Sequence, residues 1–151
     1  MSSQGTPPES PPPERVPPVG QSALPPDLMA ANASPEDRST AMIAHLLGLV
    51  GFLGPLIIYL VKKDTASRFA QFHMKQSLWF QVGMIVVYFG LMFLNILGGF
   101  ITGAILSCLL IPLFLLAAIG AIVYVIIGAV QVNGGKDFEY LVIGPWIRQS
   151  M

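Results

Sequence analysis

Hydrophobic and polar positions in this chain fall into long blocks instead of alternating. From Ser39 to Val61 there are 23 positions without a charge, bracketed by Arg38 and Lys62-Lys63. A second uncharged block of 60 residues lies between Lys75 and Lys136. A helix needs about 20 apolar residues to cross the hydrocarbon of a bilayer. The first block predicts one span. The second predicts two, joined tightly where Gly98, Gly99 and Gly103 cluster. The expected fold is an all-α integral membrane protein with three transmembrane helices, at about 35–62, 77–98 and 107–132.

Local signals mark the ends of these elements. Ser34 can cap a helix, Pro35 fits the first helical position, and Glu36 and Asp37 suit the positive end of the helix dipole. Asn133-Gly134-Gly135 tolerates the left-handed conformation that closes a helix. Residues at about 65–76 predict a short interfacial lead-in helix before the second span. There Phe69, Phe72, His73, Gln76 and Phe80 share one face, and Arg68, Gln71 and Lys75 share another. The closing segment, 133–151, mixes charge with Phe138, Tyr140 and Trp146, and such aromatics favour the headgroup level.

Residues 1–33 differ from the rest. Ten of the thirteen prolines lie there or just beyond, and the other residues are mostly Ser, Gln, Gly, Glu and Ala. Such a segment cannot bury enough apolar surface to offset its chain entropy, so a disordered tail is expected. It lacks the basic start and apolar core of a signal peptide. Its Pro8–Pro11 spacing fits a proline-recognition groove, but a plain spacer is the simpler reading in so proline-rich a tail. The membrane domain is then 34–148.

Composition agrees and narrows the chemistry. Hydrophobic residues make up 54% of the chain and charged residues 11%, against about 25% charged in soluble domains. Zero net charge gives no reason to expect a nucleic-acid partner. One cysteine, Cys108, and two histidines, His45 and His73, cannot form a disulfide framework or a closed zinc site, so no metal or cofactor is expected. Ser107, Cys108 and Tyr124 have no acid or base near them in sequence, which argues against an enzyme.

Lysines and arginines decide sidedness. The link between helices one and two carries Lys62, Lys63, Arg68 and Lys75, and the chain after helix three carries Lys136 and Arg148. Both belong in the cytoplasm. Three spans then put the N-terminal tail outside. A competing reading breaks helix one at Gly54-Pro55 into a re-entrant hairpin and leaves the tail inside.

Several residues stand out within the apolar blocks. Pro55 and Pro112 each remove a backbone donor, which frees the carbonyls of Gly51 and Cys108 and predicts kinks. Freed carbonyls can bind ions in transporters, though a packing kink explains them more simply. Gly48, Gly51 and Gly54 recur every three residues and suit close helix packing. His45, His73, Gln76 and Gln81 are candidate polar contact positions, since polar side chains at membrane depth need partners.

Four ordered blocks carry a family resemblance. Thr40 to Leu46 resembles an "A-M-x-A-H-L" opening, and Gly54 to Asp64 resembles "G-P-L-I-I-W-L-x-K-K-D". Phe72 to Gln81 resembles "H-x-K-Q-A-L-N-F-Q", with Ser77 for Ala and Trp79 for Asn. The third helix with Asn133-Gly134-Gly135 and Tyr140 completes the pattern. Residues 34–148 thus resemble a widespread family of small bacterial multi-pass membrane proteins of unknown function. That family is similar to the chloroplast inner-envelope protein-import component, whose "R-F-H-x-x-Q-A" segment Arg68 to Ser77 matches in part. The resemblance implies a bacterial inner membrane location and a link to protein translocation.

The expected function is therefore non-enzymatic. The protein acts through helix–helix contacts with the bilayer, other membrane proteins or itself, as a subunit or accessory of a translocation or membrane-assembly complex. The alternative is a homo-oligomeric channel or small-solute transporter, lined by His45, Gln81 and Asn95.

Overall fold

A computed structural model describes residues 24–151, which form five α-helices and no strands among the described residues. Helix α1 (Pro35–Leu47) starts as its sequence predicts, with Ser34 Oγ accepting from the Asp37 amide at 3.1 Å. A short 3₁₀ turn, Gly48–Val50, follows. The chain then reverses at Gly51, whose φ of 87° and ψ of −163° lie in a region open essentially to glycine alone. Helix α2 (Leu53–Lys62) runs back along α1. Gly54 makes this possible, because a Cβ there would collide with the Leu47 carbonyl. At the far end of the pair Lys62 Nζ lies 4.0 Å from the Glu36 carboxylate.

The expected first span is thus a helical hairpin. Neither limb, at 13 and 10 residues, has the roughly 20 residues that a crossing needs. Among the described residues two helices, not three, are long and apolar enough to cross a membrane. The hairpin turns at Gly51, three residues before the Gly54-Pro55 break of the competing reading. Pro55 sits in the first turn of α2, where a missing donor costs nothing, so it starts a helix instead of kinking one.

Helix α3 (Arg68–Thr102) is continuous, so the expected interfacial lead-in and second span are one element. No glycine or proline interrupts Arg68 to Gln81, and Ser67 caps the start by accepting from the Ala70 amide. Helix α4 (Ala104–Asn133) returns antiparallel after a turn at Gly103, φ 62°. Tyr88 stacks on Phe114, and Ser107 donates to Asn95 Oδ1 at 2.9 Å near this tip. Pro112 lies inside α4, which continues through it. The helix closes beyond Asn133, with Gly135 at φ 74° and the Lys136 amide donating to Gln131. Helix α5 (Ile143–Gln149) packs Ile147 against Phe72.

Helix α1 lies between α3 and α4 at the charged end of the molecule. Its small residues Ala41 and Ala44 are fully buried, as are Ala70 on α3 and Ala129 on α4. Small side chains let helix backbones approach closely. Residues 24–33, expected to be disordered, pack here too: Leu28 is 1% exposed beside Phe72, and the Ala30 amide donates to Asp137 at 2.7 Å. Apolar Leu24, Leu28 and Ala30 supply the buried surface that composition alone hid. The rest of the expected disordered tail lies outside the described residues. Asp27 pairs with Arg68 at 2.9 Å, so the described N-terminal residues and the first link share one end, contrary to the opposite sides expected from three spans. Beyond the hairpin, α3 and α4 present Phe89, Phe93, Phe100, Ile105, Leu109 and Leu116 outward.

Candidate functional site: a buried histidine–tyrosine cluster

Three elements converge on the sequence's only two histidines. His45 comes from α1, His73 from the first turns of α3, and Tyr140 from the segment between α4 and α5. His45 Nε2 lies 3.2 Å from His73 Nδ1, and His45 Nδ1 lies 3.1 Å from Tyr140 Oη. All three side chains are essentially inaccessible to solvent. Phe69 and Phe72 meet the His73 ring edge to face, and Phe138 meets His45 the same way.

The geometry restricts the protons. Each nitrogen–nitrogen contact needs one N–H and one lone pair. Two arrangements satisfy the chain: Tyr140 donates to His45, which donates to His73, or His73 donates to His45, which donates to Tyr140. Both keep the imidazoles neutral. Burial pushes the Tyr140 phenol above its ordinary range, and Tyr124 adds to the effect. The cluster therefore ties α1, α3 and the 138–141 segment together by hydrogen bonds inside an aromatic cage. No group of three or more metal-ligating side chains occurs among the described residues.

Gln76 belongs to the same cluster. Its Oε1 accepts the Tyr140 amide at 3.0 Å, while its Nε2 has no hydrogen-bond partner among the described residues. Ser77 and Gln81 continue the row along α3. Ser77 Oγ donates to the Ala44 carbonyl at 2.7 Å, and Gln81 Nε2 donates to the Gly48 carbonyl at 2.7 Å. A helix end leaves carbonyls without intrahelical partners. Ser77 satisfies such a carbonyl where α1 ends in apolar surroundings, and Gln81 adds a second donor to the Gly48 carbonyl, which also accepts from the Gly51 amide at 3.1 Å.

Every candidate polar position is thereby placed. His45, His73 and Gln76 meet in one cluster, and Gln81 lies one turn beyond, at the hairpin. The face Phe69, Phe72, His73, Gln76 points inward and is buried within this chain. Of the expected channel-lining set, His45 is in the cluster, Gln81 is bonded to Gly48, and Asn95 is bonded to Ser107 at the opposite end. Among the packing positions, Gly48 lies against the Gln81 amide, with 2.9 Å for an added Cβ. The sequence alone gave no sign of the roles of Tyr140 and Ser77. Tyr140 reads as a headgroup aromatic and Ser77 as a departure from a family pattern.

Residues 36–147 match the model of the magnetosome magnetite crystal formation protein family. The chain belongs to this family. The match spans His45, His73, Gln76, Gln81 and Tyr140, so the magnetosome family's domain contains the whole cluster and both helical hairpins. No curated protein matches, and no solved structure matches. The family assignment agrees with the expected small bacterial membrane family in outline. Similarity to the chloroplast import component does not emerge.

Proposed function

We propose that this chain is an integral membrane protein of the magnetosome. It serves magnetite crystal formation as a non-enzymatic component acting through helix contacts. Helices α3 and α4 are its two spans, and α1–α2 is a re-entrant hairpin. One observation carries the reading: among the described residues every charged side chain lies at one end of the molecule, while the long α3–α4 hairpin beyond it is uncharged and apolar outside. In water that surface has no favourable neighbour. In a bilayer it meets lipid. The family description supplies the process.

Orientation follows from the same separation. Lys62, Lys63, Arg68, Lys75, Lys136 and Arg148 are near one end, and the α3–α4 turn has no lysine or arginine. Cytoplasmic segments carry the excess of these residues. The charged end, with the described N-terminal residues and the C-terminal segment packed on it, therefore faces the cytoplasm. Trp79 and Trp146, edge to face at 5.0 Å and partly exposed, sit where the headgroup layer begins.

Single cysteines in a Cys108→Ser background test this arrangement. Glu36→Cys, Thr65→Cys and Ser150→Cys should react with an impermeant maleimide from the cytoplasmic side only, and Thr102→Cys from the opposite side only. Glu36 and Ser150 reacting from opposite sides overturns the two-span reading. Loss of the gene in a magnetite-forming host should alter the crystals; unchanged crystals overturn the assigned process.

A further inference from the structure

We infer that this protein recognises membrane curvature, preferring bilayers whose charged-end leaflet is convex. The inference rests on the two-span reading and adds to it a shape argument.

The argument begins with depth. The hairpin apex, Gly48 to Gly51, shares an open cleft of about 180 Å³ with Tyr88 of α3 and Ala118 of α4. The Ser77–Ala44 and Gln81–Gly48 bonds set α1 and α3 in register, so Gly48 lies level with Gln81 and Gly51 reaches the level of Met84. At 1.5 Å per residue, α3 continues about 27 Å from there to Thr102. Half of a hydrocarbon core is about 15 Å, and each headgroup layer adds about 6 Å. With the α3–α4 turn in the far headgroups, the apex stops about 6 Å short of the bilayer midplane, on the charged-end side. The re-entrant hairpin is therefore confined to one leaflet.

Cross-section follows from depth. The charged-end leaflet holds four helices, α1 to α4, and the other leaflet holds two. Helices of similar diameter make the occupied area differ about twofold between leaflets. Leu141, Val142 and Trp146, exposed beside α5 at the charged end, widen the same side further. Such a wedge is rigid. The α1 hairpin is locked to its neighbours by Ser77 on Ala44, Gln81 on Gly48, and the His45–His73 contact. A rigid inclusion wider in one leaflet fits a membrane in which that leaflet is expanded, as it is on the convex side of a narrow tube.

Tubes pulled from giant vesicles containing the full chain test this. An impermeant dye on Ser150→Cys (with Cys108→Ser) marks only molecules whose charged end is outside. The same dye on Thr102→Cys marks only the reverse population. On a tube about 40 nm wide the first population should be enriched at least about twofold over the parent vesicle, and the second depleted by a similar factor. Equal density on tube and parent, or the same sign for both populations, overturns the inference while leaving the two-span reading intact. Release of the protein by alkaline carbonate, or labelling of both cysteines on one molecule from outside in a Ser150→Cys, Thr102→Cys double variant (with Cys108→Ser), overturns both.

Discussion

At the scale of single residues, the cluster around His45 is held by a few buried polar contacts whose loss can be measured. Tyr140→Phe keeps the ring that packs on Phe80 and Phe138 but removes the hydroxyl 3.1 Å from His45 Nδ1. Leaving a buried group unpartnered costs about 1–3 kcal/mol. The variant should lower the thermal midpoint of the detergent-solubilised protein accordingly, with secondary structure unchanged. An unshifted midpoint would show that the hydroxyl contact contributes no net stability. Glu139 offers a pH test. Burial raises its carboxyl pKa, only partly offset by Arg148 3.7 Å away, and its Oε1 has no hydrogen-bond partner among the described residues. The folded state therefore binds this proton more tightly than the unfolded chain. Stability should fall as pH rises from the ordinary carboxylate value through the raised one. Glu139→Gln should flatten that slope, whereas an identical slope in the variant would assign the dependence to another group.

At the scale of elements, the reversal at Gly51 decides how many times the chain can cross a bilayer. The sequence around it is apolar and helix-compatible throughout, and hydropathy alone predicts one helix across it. Two backbone facts override that pattern: the positive φ at Gly51 and the approach of Gly54 to the Leu47 carbonyl. Gly51→Val must place a β-branched side chain in a conformation that costs about 1–3 kcal/mol. The variant should be less stable by that amount. It should also show Glu36 and Thr65 losing their shared side in a cysteine-labelling assay if the limbs straighten into one helix. Normal stability with normal labelling would mean that the turn does not depend on glycine. The helix caps, by contrast, are legible locally. Ser34-Pro35 and Asn133-Gly134-Gly135 act through neighbours a few residues away, and α1 begins at the first while α4 ends at the second.

At the scale of the whole molecule, the N-terminal and C-terminal parts meet at the charged end. Leu28 is buried against Phe72 and Ile147, Ala30 bonds Asp137, and Arg68 Nη2 donates to the Met151 carbonyl at 3.1 Å. Leu28→Ala removes a fully buried side chain and should cost about 2–5 kcal/mol. Protease sensitivity of the C-terminal segment should rise with it, because α5 rests on the same small core. An unchanged cleavage rate would mean that the two ends are stabilised separately. The same end carries the described charges, which is why orientation and shape come from one arrangement.

The sequence by itself determined the all-helical class, the two long apolar segments, the helix caps and the concentration of lysines and arginines. Each of these is a local or additive property, set by propensity, hydropathy or charge count. It also singled out His45, His73, Gln76 and Gln81 as polar residues needing partners, because burial of an unpaired polar group is unfavourable whatever the fold. Tertiary structure alone decided which partners they take. The pairing of His45 with Tyr140 joins positions 95 residues apart, and no pattern along the chain encodes that distance. It also decided that the first apolar block turns back: the choice between one long helix and two short ones rests on whether α3 and α4 leave a groove for α1. Ser77 then satisfies the Ala44 carbonyl near the end of α1, and Gln81 adds a donor to the Gly48 carbonyl beside the Gly51 amide.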